Sequence, residues 1–201
     1  MTLALIDYGA GNLHSVANAL KAAGASDVAV TADPRAVLSA DRIVLPGVGA
    51  FGACAAALRA LPGMVEALNV RVLGAGVPFL GICVGMQLMA NEGHEFGTHA
   101  GLGWIEGDVQ LIEPGDAAIK VPHMGWNDVV PTAPHKLIAP GEAYFLHSYA
   151  FSGDAVLATT THGGPVVAAI GRNNMLGVQF HPEKSQRYGL ALLERFLKWR
   201  P

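Results

Sequence analysis

Val77-Pro78-Phe79-Leu80-Gly81-Ile82-Cys83-Val84-Gly85-Met86-Gln87-Leu88 is the stretch on which the fold turns. An apolar run over 77–82 predicts a buried strand. It feeds a Gly-x-Cys-x-Gly turn, and 84–88 then reads as the start of a helix, which is the layout of a nucleophile elbow with cysteine at its tip. A side chain on so sharp a turn needs a strained backbone, and the residues two places to either side must be small so that strand and helix can approach. Gly81 and Gly85 meet that need, and the free N–H groups of the following helix point at the sulfur and favour its anion.

Outward toward the N-terminus, short apolar runs alternate with helix-length segments. Strands are predicted over 3–7, 28–31 and 43–45, and helices over 13–23, 34–40, 51–61 and 64–73, the pattern of a parallel sheet covered by helices. Toward the C-terminus the pattern changes to short strand-like runs at 104–112, 127–130, 143–146, 156–161, 166–170 and 175–180, punctuated by Gly, Pro and Asn. These predict mixed or antiparallel strands extending the same sheet. A closing helix over 186–199 carries Leu190, Leu193 and Leu197 along one stripe. Residues 93–103 read as a loop, and the whole of 1–201 as a single domain. The fold class expected is α/β.

Composition narrows the function. The 201 residues are 51% hydrophobic with 25 glycines and only 14% charged residues, which fits a packed α/β enzyme and not a disordered chain. A net charge of −3 without clustered Lys or Arg argues against binding nucleic acid. No apolar stretch reaches membrane-spanning length and the first residues lack a signal-peptide pattern, so a cytoplasmic protein without a membrane partner is expected. Cys54 and Cys83 are too few for a disulfide framework. In the alanine-rich segment 53–57, Cys54 reads as a buried structural residue.

Cys83 needs a base that can also return a proton to a leaving amine. Of the eight histidines, His181 stands at the end of a predicted strand and is followed by Pro182 and Glu183. Proline biases the residue before it toward an extended backbone, so side chains 181 and 183 project to the same side and Glu183 can hold the imidazole. Nucleophile, base and orienter form a triad of the kind found on unrelated folds. His94 and His99 flank Glu95 but miss the i, i+4 spacing of a helical zinc pair, so no metal is expected.

Gly47-Val48-Gly49-Ala50-Phe51-Gly52 matches the dinucleotide pattern G-x-G-x-x-G in letters only. It follows the third strand instead of the first, and Glu66 falls in a helix, where it could not hold a ribose. No cofactor is expected. Residues 46–49 serve better as an oxyanion loop, with the Val48 and Val84 N–H groups as the donor pair and glycines Gly47 and Gly49 freeing the backbone to aim them.

With these motifs in place, the chain resembles the class I glutamine amidotransferases, in which Gly-x-Cys-x-Gly-x-Gln and His-Pro-Glu mark the triad. Within that group it is similar to the glutaminase subunits of imidazole glycerol phosphate synthases of histidine biosynthesis. The segments 7–13, 45–49, 81–87, 122–127, 144–149 and 177–185 carry that narrower likeness. Val84 departs from the pattern, since relatives often have leucine there. The resemblance implies a flavodoxin-like three-layer fold, L-glutamine as substrate, and Cys83, His181 and Glu183 as the catalytic residues. It also implies a pocket lined by Gln87, Gly49, Ser148 and Tyr149, and a separate (β/α)8-barrel cyclase subunit faced by Asn12, Trp126, Tyr144 and Lys184. Glutaminases serving anthranilate, aminodeoxychorismate or pyridoxal phosphate synthesis would share the triad, and a non-catalytic α/β binding module is the alternative of a different class.

Overall fold

The computed structural model describes residues 1–113 and 119–201. Five strands with their connecting helices build the first half: β1 (Thr2–Ile6), α1 (Leu13–Ala22), β2 (Asp27–Thr31), α2 (Pro34–Ser39), β3 (Arg42–Leu45), α3 (Phe51–Ala60), α4 (Met64–Asn69), β4 (Phe79–Ile82), α5 (Val84–Gln87) and β5 (Glu92–Gly93). The helix expected over 64–73 continues α4 as a π-helical turn, Val70–Gly74. Then come β6 (His99–Ala100), β7 (Gly107–Leu111), β8 (His123–Pro131), β9 (Gly141–His147), β10 (Tyr149–Gly153), β11 (Val156–Thr161), β12 (Pro165–Arg172), β13 (Met175–Val178), a 3-10 turn at Pro182–Lys184 and α6 (Gln186–Lys198).

Nine strands form the main sheet in the order β2-β1-β3-β4-β13-β12-β11-β8-β9. Strands β2, β1, β3, β4 and β13 pair in parallel, and the remainder are antiparallel. The central strands β3, β4 and β13 are buried along their whole length, which is why β4, β13 and residues 43–45 of β3 read as unbroken apolar runs. Leu3, Leu5, Ile43, Leu45 and Phe79 are fully buried, each contributing about 1.5–3 kcal/mol by leaving water.

Helix boundaries follow local chemistry. Asn12 caps α1 through its side-chain oxygen, which accepts from the Ser15 N–H at 3.4 Å, and Asp33 caps α2 ahead of Pro34, whose missing N–H costs nothing at the first helical position. On α6 the stripe differs from the expected one. Leu193 and Leu197 are buried together with Leu192 and Phe196, whereas Leu190 is exposed.

Three further expectations are corrected. The run 104–112 contributes β7, which joins β10, β5 and β6 in a separate four-stranded sheet and does not extend the main one. Residues 149–153, unassigned from sequence, form β10, and the loop expected over 93–103 contains β6. Edge strand β9 also bonds to the chain just past β13, where the His181 N–H donates to the Tyr144 carbonyl at 2.9 Å.

Candidate active site

Cys83 sits between the end of β4 and the first residue of α5, with φ 53° and ψ −114°. A non-glycine residue there carries strain of about 1–3 kcal/mol and persists only because its surroundings fix it. The Cys83 N–H donates to the Val178 carbonyl at 2.8 Å, tying the elbow to β13. A β-carbon at Gly85 would run into the Leu45 carbonyl, and one at Gly81 would lie 2.6 Å from the Gly85 carbonyl oxygen, so strand and helix touch through these two positions. The helix behind the sulfur is shorter than the sequence suggests. Its single turn, Val84–Gln87, aligns few peptide dipoles.

His181 comes from the far end of the chain and is 3% exposed. Its Nδ1 lies 2.8 Å from Oε1 of Glu183, and since a carboxylate only accepts, Nδ1 carries the proton and Nε2 is left for the thiol side. The Glu183 side chain is itself buried, and its Oε2 has no partner among the described residues. Burial by itself would lower the His181 pKa. Interaction with the Cys83 sulfur nearby, together with the hydrogen bond to Glu183 and its charge, outweighs it and raises the value to about 9.

Long-range bonds hold the histidine arm. Besides the His181 N–H bond to Tyr144, the Ser185 hydroxyl donates to the His181 carbonyl at 2.6 Å and accepts from the Tyr144 N–H at 2.9 Å. Two bonds therefore fasten the arm to β9, one from the His181 backbone and one through the Ser185 hydroxyl, which also braces the arm internally at the His181 carbonyl.

Cys83 and His181 line one cavity of about 150 Å³ together with Val48, Gly49, Val84, Gln87, Leu146, His147, Ser148, Tyr149 and Lys184. That is small beside pockets for drug-sized ligands, about 300–1,000 Å³, and suits a ligand the size of an amino acid. Gly47 lies beneath the wall, where a β-carbon would meet Tyr8 Oη and the Gly85 nitrogen at 2.7 Å each. A larger open groove of about 410 Å³, between β7, β10 and β12, contains none of the expected site residues.

Of the residues expected at a partner surface, three cluster. The Lys184 ammonium lies 5.8 Å from the centre of the Tyr144 ring, and Trp126 meets the same ring edge-on at 6.3 Å. Trp126 is 48% exposed and Met124, on the same strand, 65%. Asn12 is exposed at the start of α1, which packs on the 182–184 turn.

Three residues around the site escaped the sequence reading, among them the cavity-lining Leu146. Gln179 is fully buried; its Nε2 points at the Cys83 sulfur from 3.7 Å and its Oε1 accepts from Gln87 Nε2 at 3.0 Å. Its place two residues before His181 on an extended chain was the available signal. His147, like Leu146, lines the cavity. Its Nδ1 donates to the Tyr149 carbonyl at 2.9 Å, so its Nε2 accepts from His123 Nδ1 at 3.1 Å, and His123 Nε2 accepts from Asn127 at 3.0 Å. Burial lowers the pKa of His147 to about 3 and that of His123 to about 4, keeping both neutral. His94, by contrast, pairs with Asp108 at 3.2 Å, and Glu95 accepts from the Phe51 N–H at 2.8 Å; neither residue lines the cavity.

Comparison with known proteins places this geometry. A family profile described as "Glutamine amidotransferase class-I" matches residues 4–199. Imidazole glycerol phosphate synthase subunit HisH of Zymomonas mobilis is 62% identical over all of this chain and 97% of the relative, and the subunit of the same name from Rhodospirillum rubrum is 54% identical over the full length of both. Among solved structures, a glutamine amidotransferase superposes with a TM-score of 0.76 at 18% identity over 98% of each chain. The glutaminase domain of Trypanosoma brucei CTPS with bound acivicin superposes with a TM-score of 0.66 at 18% identity, covering 100% of this chain and 95% of that one; at these identities the likeness is one of fold. The chain belongs to the class I glutamine amidotransferases and, within them, to the family of imidazole glycerol phosphate synthase HisH subunits.

Proposed function

We propose that this chain acts as the glutaminase of a two-subunit imidazole glycerol phosphate synthase, with Cys83, His181 and Glu183 as its catalytic residues. The observation that carries this reading is the shared cavity: a strained cysteine from the first half of the fold and a carboxylate-bound imidazole from the end of the second open onto one space of about 150 Å³.

In the reaction, Cys83 Sγ attacks the side-chain carbonyl carbon of glutamine and a C–S bond forms. The Val48 and Val84 N–H groups receive the negative charge that develops on oxygen. The C–N bond then breaks as His181 gives its proton to the departing nitrogen, releasing ammonia. Water, losing a proton to His181, cleaves the thioester to glutamate. Glu183 keeps the imidazole in the tautomer that can do both. Gln87, Gly49, Ser148 and Tyr149 hold the rest of the glutamine.

Ammonia set free in water is largely protonated and unreactive, which favours direct delivery to a second subunit through a sealed path. The aromatic and cationic cluster of Trp126, Tyr144 and Lys184, with Asn12, would face that subunit, a (β/α)8-barrel cyclase that joins the ammonia to a phosphorylated ribulosyl aminoimidazole carboxamide nucleotide. The products are glutamate, imidazole glycerol phosphate and an aminoimidazole carboxamide ribonucleotide. The free thiols Cys54 and Cys83 suit a reducing cytosol.

The test is reconstitution: the chain purified with its cyclase subunit should make product from glutamine, and Cys83→Ser should abolish that while leaving synthesis from added ammonia intact. Undiminished glutamine turnover in the Ser variant would refute the assignment of the nucleophile.

A further inference from the structure

The loop that carries the Val48 N–H is held by two buried side chains that take no part in the chemistry above. The Tyr8 hydroxyl, reaching from the end of β1, donates to the Pro46 carbonyl at 2.8 Å. The Cys54 thiol, on the first turn of α3, donates to the Val48 carbonyl at 3.3 Å. These two carbonyls belong to the peptide units on either side of the Gly47–Val48 unit. That central unit holds the Val48 N–H, which donates to no group among the described residues. The flanking units are thus fixed, and the donor-bearing one lies between them beside the cavity that Val48 lines.

The surroundings leave the loop little room to settle elsewhere. A β-carbon at Gly47 would meet Tyr8 Oη, the Gly85 nitrogen and Val84 Cβ, all within 3 Å, so the loop is wedged between the phenol and the elbow. Tyr8 is 5% exposed and Cys54 2%. Burial pushes both ionisations upward, so each stays a protonated donor across the working range of pH. At the downstream end, the Glu95 carboxylate accepts from the Phe51 N–H at 2.8 Å and caps α3, where Ala50 offers no side-chain cap of its own.

Building on the glutaminase reading, we propose that Tyr8 and Cys54 are positioning residues of the oxyanion loop: their hydrogen bonds to the Pro46 and Val48 carbonyls orient the Gly47–Val48 peptide so that the Val48 N–H meets the charge that develops on the substrate. This gives Cys54 a catalytic consequence beyond filling the core. Misplacing a donor weakens stabilisation of the transition state more than it weakens binding of the neutral amide.

Cys54→Ala, Cys54→Ser and Tyr8→Phe, each assembled with the cyclase subunit, test this. Cys54→Ala and Tyr8→Phe should each lower kcat about 10- to 100-fold with KM for glutamine changed less than about twofold. Cys54→Ser, which keeps a hydroxyl donor, should recover most of the loss. Alkylation of Cys83 by iodoacetamide, followed by peptide mass mapping, needs the thiolate but no oxyanion donor, and should stay within about twofold of wild type. Hydrogen exchange of residues 46–50 should quicken in Cys54→Ala and Tyr8→Phe. Wild-type kcat in those two variants, alkylation falling in step with kcat, or unchanged loop exchange would each overturn the proposal. A wild-type complex that released no ammonia would instead overturn the glutaminase reading; loop exchange would still decide whether the two side chains hold the loop.

Discussion

The elbow and the histidine arm meet in one cavity but are held there by opposite means. Cys83 is fixed by its neighbours in sequence: a four-residue strand, two glycines and one helical turn, flanked by the parallel strands β3 and β13. His181 lies beyond the end of β13 and depends on Tyr144 and Ser185, which are 41 residues apart and bonded to each other. The first arrangement is rigid because close contacts at Gly81 and Gly85 and the Cys83 N–H bond to Val178 hold the strained turn on both sides. The second is rigid only while β9 stays in place, so damage to the arm should propagate from a distance in a way that damage to the elbow cannot.

The largest expected effect lies at the elbow. Cys83→Ala should cut glutamine hydrolysis by about 10⁴-fold or more, since no neighbouring group can replace the sulfur, without weakening the complex with the cyclase, as read by titration calorimetry. Next comes the orienting carboxylate. Glu183→Gln keeps a hydrogen-bonding group but removes the charge, and kcat should fall about 10²- to 10⁴-fold. The same variant has a pH signature. The His181 pKa is raised from 6.5 to about 9, so the protonated ring contributes stability that is full below pH 6.5 and lost as pH rises through about 9. The stability difference between pH 6 and pH 10, measured by urea unfolding, should therefore shrink in Glu183→Gln.

A smaller effect sharpens the contrast further. Ser185→Ala touches neither substrate nor thiol, yet it removes one of the two bonds between the arm and β9 together with the brace on the His181 carbonyl. It should cost about 1–3 kcal/mol of stability and lower kcat about tenfold, an effect of displaced geometry, while Cys83 alkylation proceeds at its normal rate. If alkylation slowed equally, the two regions would not be held independently. The smallest expected effect on the isolated chain is that of Trp126→Ala. The side chain is half-exposed, so the melting temperature should barely move, whereas affinity for the cyclase should drop by about 2 kcal/mol if the ring anchors that interface.

The same division explains what could be read from the sequence. The elbow was legible because the residues that permit its sharp turn lie within Gly81 to Gly85. The pairing of His181 with Glu183 was anticipated from an extended chain, although the structure makes it across a 3-10 turn at Pro182–Lys184. The parallel half was legible as well, since strands buried on both faces must be apolar throughout. The antiparallel half was not. Whether Val109 and its neighbours join the main sheet or a second one depends on partners such as Phe151, paired with it across β10, and Ser152 and Gly153 give that strand none of the apolar run that would announce it. Ser185 and Gln179 were equally silent, because a buried serine or glutamine gains meaning only from the groups that surround it in space.

The return of β9 to the chain beyond β13 has one more consequence. A strand ending a sheet offers its outer peptide groups to any other extended chain, and proteins guard such borders against pairing with copies of themselves. Here the N–H and carbonyl of Tyr144 are already taken up by Ser185 and His181. The segment that delivers the imidazole thus also seals the sheet's last rung, and loosening it would cost solubility as well as turnover.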